Sequence, residues 1–272
     1  MFHFMNKLLM LNPAYRQRER IAQYLIELKG QNKMILAAML FARSDCKDKT
    51  TDFLYEDQLC RFFLPYACYD AIQSIIITTN SFYEIDLLQK VRSYLKEGMV
   101  YVDIGANIGN HTVFFSKICK AKQIYSFEPQ KEIFRILQKN TELNHCEGVT
   151  LSNFALGCKK GMLSINNFDP ENWGGTSFIP DDNGNTPVET FDSLNIGKVD
   201  FIKIDVEGAE TDVLLGAEKT ISRDNPIVWC EALDSKSLKR LIQFFKKHRY
   251  VYRKISDTNF LFIPADIESD HV

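Results

Sequence analysis

Apolar positions along this chain follow two rhythms, and the change falls at Gly98. On the N-terminal side the spacing is helical. Ile21, Leu25 and Leu28 lie four and three apart. Met34, Ile35, Ala38 and Met39 resume the stripe after a break at Gly30-Gln31-Asn32. Together they predict helix over 16–43. The polar run SDCKDKTTD at 44–52 reads as a linker, and residues 53–97 read as mostly helical, closed by the stripe Ile85, Leu88, Val91, Tyr94 and Leu95.

Beyond Gly98 short apolar runs alternate with helical stretches. Strands are expected at 99–104, 123–127, 149–154, 199–204 and 227–230. Helices are expected at 110–120, 130–143 (with Pro129 in the first turn), 209–221 and 235–247. Runs at 250–254 and 260–263 form a closing pair of strands. Such alternation builds βαβ units, hence an α/β fold with a mostly parallel sheet and helices on both faces. The predicted organisation is an N-terminal helical extension over 1–80, with an arm at 1–49 and a helical cap at 53–80, followed by a sheet domain over 81–272. One insertion, NNFDPENWGGTSFIPDDNGN at 166–185, breaks the rhythm. It is rich in Asn, Asp, Gly and Pro, reads as a structureless loop of a length that is usually functional or disordered, and carries Trp173.

Composition narrows the class. The chain has 272 residues, 45% apolar and 25% charged, with a net charge of −2, which excludes a disordered, collagenous or disulfide-stapled chain. Seven cysteines without a CxxC pair point to reduced thiols in a cytosolic protein. No apolar run is long enough to span a bilayer. The opening MFHFMNKLLMLNPAYR, broken by Asn6, Lys7 and Pro13, makes a poor secretory signal. Charge is uneven: residues 1–49 hold nine Lys/Arg against four Asp/Glu, a net of +5, so the remainder carries −7. The basic arm can meet an anionic surface, although a solvated helical face explains it as well. The rest of the chain shows no basic stripe of the kind nucleic acid requires.

The chemistry concentrates at three places. The first is Val102-Asp103-Ile104-Gly105-Ala106-Asn107-Ile108-Gly109, at a strand end and before a helix, where the backbone can approach a ligand closely and a helix start favours an anion. A dinucleotide fingerprint would need glycine at 105, 107 and 110. This chain has Gly105, Asn107 and Asn110, and it has no phosphate-binding P-loop. The second is Glu128, at the end of the next strand and 19 residues after Gly109, a spacing that suits ribose hydroxyls. The two describe a pocket for an adenosine-bearing ligand. The third is Lys203-Ile204-Asp205-Val206-Glu207-Gly208-Ala209-Glu210. Lys203 and Asp205 share one face of a strand and can pair at its ligand-binding end. Glu207 sits on the turn, and Glu210 sits where a helix start favours an acid.

DIGANIG, the FEP containing Glu128, NFALG at 153–157 and FIKIDVEGAE at 201–210 resemble the FkbM-type methyltransferases over roughly residues 80–265. The resemblance implies a class I methyltransferase fold, with a seven-stranded, mostly parallel sheet and one antiparallel strand near its edge. It implies S-adenosylmethionine as cofactor and hydroxyls of sugars, glycans or secondary metabolites as acceptors. Carried over residue by residue, Asp103, Gly105, Asn107, Gly109 and Asn110 would hold the methionine end, with Asp103 on the ammonium. Glu128 would take the ribose, and Asn153, Phe154 and Ala155 would lie along the adenine. Tyr83 and Glu84 match a Tyr-Glu pair the family carries before its core.

An alcohol is a weak nucleophile near neutral pH, so a base that takes its proton helps. Asp205 and Glu207, supported by Lys203, are the catalytic candidates, with Glu231 third. Tyr83, Glu84, His111, Trp173 and Glu231 are expected on the acceptor side. A divalent metal would find oxygen ligands in Asp205, Glu207, Glu210 and Glu231, but no spacing is diagnostic of one. Two other readings compete. N-methylation of nucleic acid or protein usually carries an Asn/Asp-Pro-Pro-aromatic turn, where this chain has Asp205-Val206-Glu207-Gly208. A non-catalytic interaction module would use residues 1–97 as its contact surface.

Overall fold

The computed structural model of the chain describes residues 49–168 and 172–268. The helix expected over 16–43 and nearly all of the basic arm lie outside them. The region expected as a helical cap begins instead as a hairpin. Strands β1 (Thr50–Tyr55) and β2 (Gln58–Phe63) pair antiparallel across a turn at Glu56-Asp57. The reason is a period of two: Thr51 and Phe53 on one strand, and Cys60 and Phe62 on the other, are buried between more open neighbours. Helices follow only afterwards, α1 (Ala71–Thr79) and α2 (Ile85–Arg92). Asp70 caps α1 by accepting from the Gln73 N–H at 2.9 Å.

From here the expected alternation appears. Strand β3 (Val100–Ile104) leads into α3 (Asn110–Lys117), and β4 (Gln123–Phe127) into α4 (Lys131–Leu143), which precedes β5 (Val149–Ser152). Pro129 stands before the α4 cap residue Gln130, not in the first turn. The strand expected to reach Phe154 stops at Ser152. There Asn153 turns its amide to donate to the carbonyls of Glu128 and Pro129 at 2.8 and 3.1 Å. The hairpin is tied down by two amides one turn apart. Asn140 on α4 accepts from the Phe63 N–H and donates to the Ile108 carbonyl, while Asn144 accepts from the Arg61 N–H. Phe53, Phe62, Phe82 and Phe114 then pack edge-to-face in the same core as Tyr101, Ile124 and Phe201 of the sheet domain.

The described residues of the insertion are not structureless. Strands β6 (Ala155–Leu156), β7 (Gly161–Asn167), β8 (Ser177–Pro180) and β9 (Thr186–Glu189) form a second sheet in the order β6-β9-β7-β8. Asp181, Asn183 and Gly184 make the turn between β8 and β9. Asp181 accepts from Ser164 and the Asn183 N–H, and Gly184 closes back onto the Asp181 carbonyl. The chain returns through β10 (Phe201–Ile204). The helix expected over 209–221 is split at Ala217 into α5 (Glu210–Gly216) and α6 (Glu218–Asp224). The break exposes a fresh helix start, whose Lys219 and Thr220 N–H groups Asp192 accepts. Strand β11 (Ile227–Glu231), helix α7 (Ser235–Lys247) and strands β12 (Tyr250–Lys254) and β13 (Asn259–Pro264) follow, and a short helix α8 (Ala265–Glu268) ends the described residues.

Among the described residues the main sheet has seven strands in the order β12-β13-β11-β10-β3-β4-β5, with β13 alone running against its neighbours. One core, built on Tyr101, Phe201 and Trp229, lies under α3 and α4. The other, built on Val102, Ile202 and Phe262, lies under α5, α6 and α7. This is the α/β arrangement that the alternation and the resemblance both implied. Among the described residues no helix is long and apolar enough to cross a membrane.

Candidate active site

Parallel strands direct their carboxyl ends to one edge, and the crevice opens there, where β3, β4, β10 and β11 stop. The glycine loop after β3 folds back over the sheet: Gly105 and Ala106 donate to the Phe127 carbonyl, and Gly109 (φ +88°) starts α3. Two lobes, of about 460 and 310 Å³, share Gly105, Glu128, Gly174, Asp205 and Glu207. The larger is lined by Phe127, Pro129, Phe154, Ala155 and Leu156, with the second sheet as its far wall. The smaller is lined by Tyr83, Glu84, Asn107, Asn110, His111, Lys203 and Glu231.

Glu128 stands at the join. Its two carboxylate oxygens accept the N–H groups of Asn107 (2.9 Å) and Gln130 (2.8 Å), locking the glycine loop to the start of α4. Burial pushes its pKa up to about 7, against those two hydrogen bonds and the Lys203 charge, which pull the other way. The folded chain therefore holds this proton more tightly than the unfolded chain, whose carboxyl titrates near 4.5. Stability should then fall as pH rises from about 4.5 to about 7, by on the order of 3 kcal/mol across the window. Urea titrations through that window should show a flatter profile for Glu128→Gln. An unchanged slope would assign the loss elsewhere.

Asp103 does not face the crevice. It is sealed beneath the loop, fully buried, with one oxygen accepting the Thr112 hydroxyl at 2.6 Å and the other 3.6 Å from Lys203 Nζ. Register explains this: Asp103 and Lys203 sit side by side on neighbouring parallel strands, so their side chains share a face. Lys203 donates to the Gly105 carbonyl at 2.9 Å and lies 3.2 Å from Asp205. Burial opposes its charge, but Asp205 and Asp103 outweigh burial and hold the ammonium above the ordinary lysine range. Burial likewise works against Asp205, yet Lys203, with His111 beyond it, holds that carboxylate below its usual range. Its side chain keeps 37% of its surface open to the crevice.

Glu207, in a left-handed turn (φ +55°), and Glu231, at the end of β11, complete a trio with Asp205. One oxygen from each lies within 4.8 Å of the others. Burial first, and then the Asp205 charge, push Glu207 up to about 7 and Glu231 up to about 8. Glu210 is not in the trio; its carboxylate accepts the Gly208 N–H at 2.9 Å, bracing the turn that carries Glu207.

The other expected site residues divide. Asn110 lines the smaller lobe but commits its amide to both backbone groups of Tyr83, which fixes the Tyr83-Glu84 corner on the crevice wall. His111 reaches the same wall, 3.6 Å from Glu84 and edge-on to Trp229. Asn153 does not line the crevice, because its amide braces the Glu128-Pro129 backbone from behind. Trp173 is also off the lining. It stacks on Tyr66 at 4.1 Å while its backbone bonds to Asp70 and Gln130, anchoring a strap whose Gly174 closes over Asn107.

Sequence reasoning missed Gly174, Asn172 and Asn259 on the lining. It also missed Thr258, whose hydroxyl donates to Glu231 at 3.1 Å. The only signal for the last two was a polar Thr-Asn pair opening an apolar strand.

A family model described as methyltransferase FkbM domain matches residues 103–252. "Methyltransferase 1" of Beauveria bassiana is 30% identical over 144 residues, covering 43% of this chain and 57% of that protein. Hexuronic acid methyltransferase AglP of Haloferax volcanii is 26% identical over 152 residues, covering 53% and 61%. The chain thus spans about 60% of the length of the curated relatives it matches. Among solved structures, a methyltransferase FkbM from Methylobacillus flagellatus aligns at a TM-score of 0.46 and 19% identity, over 72% of this chain and 56% of that one.

Proposed function

The chain belongs to the FkbM methyltransferase family, and from that membership we propose that it moves a methyl group from S-adenosylmethionine to a hydroxyl of a sugar, glycan or secondary-metabolite acceptor. The observation that carries the reading is where the two lobes meet: the shared wall holds Glu128 together with the carboxylates Asp205 and Glu207. That AglP is named for a hexuronic acid supports a sugar acceptor.

The residues fit the cofactor. Each Glu128 oxygen accepts one backbone N–H and keeps a lone pair for a ribose hydroxyl. Phe154 and Ala155 offer the larger lobe an apolar wall for adenine. The methionine end belongs in the smaller lobe, where Asn107 and Asn110 lie at the start of α3 and a helix start favours its carboxylate. Asp103 acts there only through Lys203. Bound in this way, S-adenosylmethionine supplies a sulfonium methyl already activated for in-line displacement.

The chain's own work is positioning and proton removal. Glu207 would take the proton of the acceptor hydroxyl as that hydroxyl's oxygen receives the methyl group the cofactor would supply. Lys203 keeps Asp205 ionised and oriented beside it. Tyr83, Glu84 and His111 shape the acceptor side.

Two measurements test the reading. S-adenosylmethionine should raise the melting temperature at micromolar concentration, and methyl-labelled cofactor should mark a glycan or small-molecule fraction; neither effect occurring would end it. Glu207→Gln should slow transfer on the order of 10²-fold with cofactor affinity unchanged. A wild-type rate would remove Glu207 as the base.

A further inference from the structure

Asp205, Glu207 and Glu231 come from the end of β10, the turn after it and the end of β11, yet one oxygen of each falls within 4.8 Å of the others. Such convergence keeps carboxyl groups closer than their mutual repulsion favours unless a proton is shared, as the Glu231–Asp205 hydrogen bond allows, or a cation takes its place. The cation present, Lys203, is already divided between Asp103, Asp205 and the Gly105 carbonyl. A second observation points to a ligand in the same lobe. His111, whose side chain is 7% exposed, presents Nε2 to this wall with no hydrogen-bond partner, the Glu84 carboxylate standing beyond hydrogen-bond reach at 3.6 Å. A buried ring nitrogen without a partner is costly unless something completes it.

We propose that Asp205, Glu207 and Glu231 bind one divalent cation of the oxygen-preferring class, Mg²⁺ or Mn²⁺, with the His111 nitrogen facing a water or acceptor oxygen held on it. Three carboxylates on a partly open wall suit such an ion, which keeps several of its waters. The binding itself stands on the trio and on the His111 nitrogen beside it. Its role rests on the methyl-transfer reading: two neighbouring hydroxyls, or a hydroxyl and a carboxylate, of a sugar acceptor would replace two of those waters, so that the ion orients the acceptor and eases loss of its proton.

The probe is Mn²⁺, titrated into the full chain and followed by its free-ion electron paramagnetic resonance signal. One ion per chain should bind. Glu231→Gln and Glu207→Gln should each weaken it at least tenfold, while Glu218→Gln, an exposed carboxylate on α6 outside the crevice, should leave it within twofold. Thermal melts of all three variants show that each is folded. Failure of Mn²⁺ to bind, or equal binding by wild type and the two trio variants, overturns the proposal. Transfer that persists at the full rate with a chelator also overturns the ion's role while leaving methyl transfer intact. Mn²⁺ binding without any stabilisation by S-adenosylmethionine does the reverse.

Discussion

Gly105→Ala should cost on the order of 4 kcal/mol or more, enough to deprive most of the population of its native crevice. Gly105 has φ +79°, and a Cβ built there would stand 1.8 Å from the Asp205 carbonyl oxygen and 2.9 Å from its carbon. Both atoms are backbone, and neither can swing aside. The Asp205 N–H is bonded to the Ile104 carbonyl, and the Gly105 N–H to that of Phe127. The loop after β3 and the loop after β10 would have to separate, and Asp205 and Glu207 would move with them. Gly208→Ala is the internal control. It has φ +100° but nothing within 4 Å of the added carbon, so it should lose only the left-handed penalty of about 1–2 kcal/mol. Equal losses for the two variants in urea titrations would show that conformation, not close approach, is what Gly105 supplies.

Lys203→Met should destabilise by on the order of 3–5 kcal/mol, because it removes one partner of a buried charge network and strands the other. Asp103 is fully buried and would keep only the Thr112 hydroxyl. The added variant Asp103→Asn removes the stranded charge while preserving an oxygen for Thr112. The double variant should therefore recover at least half of the loss. A double-mutant cycle in urea measures this directly. Strictly additive losses would mean that the two side chains do not sense each other, and the account of Asp103 as a support for Lys203 would fall. Lys203→Met should also raise the pKa of Asp205, which that ammonium holds down.

How much of this was legible beforehand differs by element. The strand–helix alternation after Gly98 and the antiparallel closing pair were readable because burial on both faces of a parallel sheet enforces near-continuous apolar runs, and a sheet-covering helix enforces a 3.6 period. The hairpin at 50–63 was missed because Phe53, Leu54, Leu59, Phe62 and Phe63 satisfy a helical stripe nearly as well as an alternating one, and only packing against α4 selects the latter. The 166–185 insertion was misjudged because its turn residues outnumber its short strands, which gain stability only by pairing with one another.

What the amino-acid order determined alone is the α/β class and the short motifs that gather glycines and acids at strand ends, since both follow from local periodicity and backbone freedom. Tertiary structure decided which acid sees the crevice. Strand register sets Asp103 against Lys203 under the loop, and a strap more than sixty residues downstream closes over Asn107. The turn at Glu207 and the end of β11 bring three carboxyls from two strands to one point. Such distances depend on how separate segments stack, which no spacing along a chain encodes.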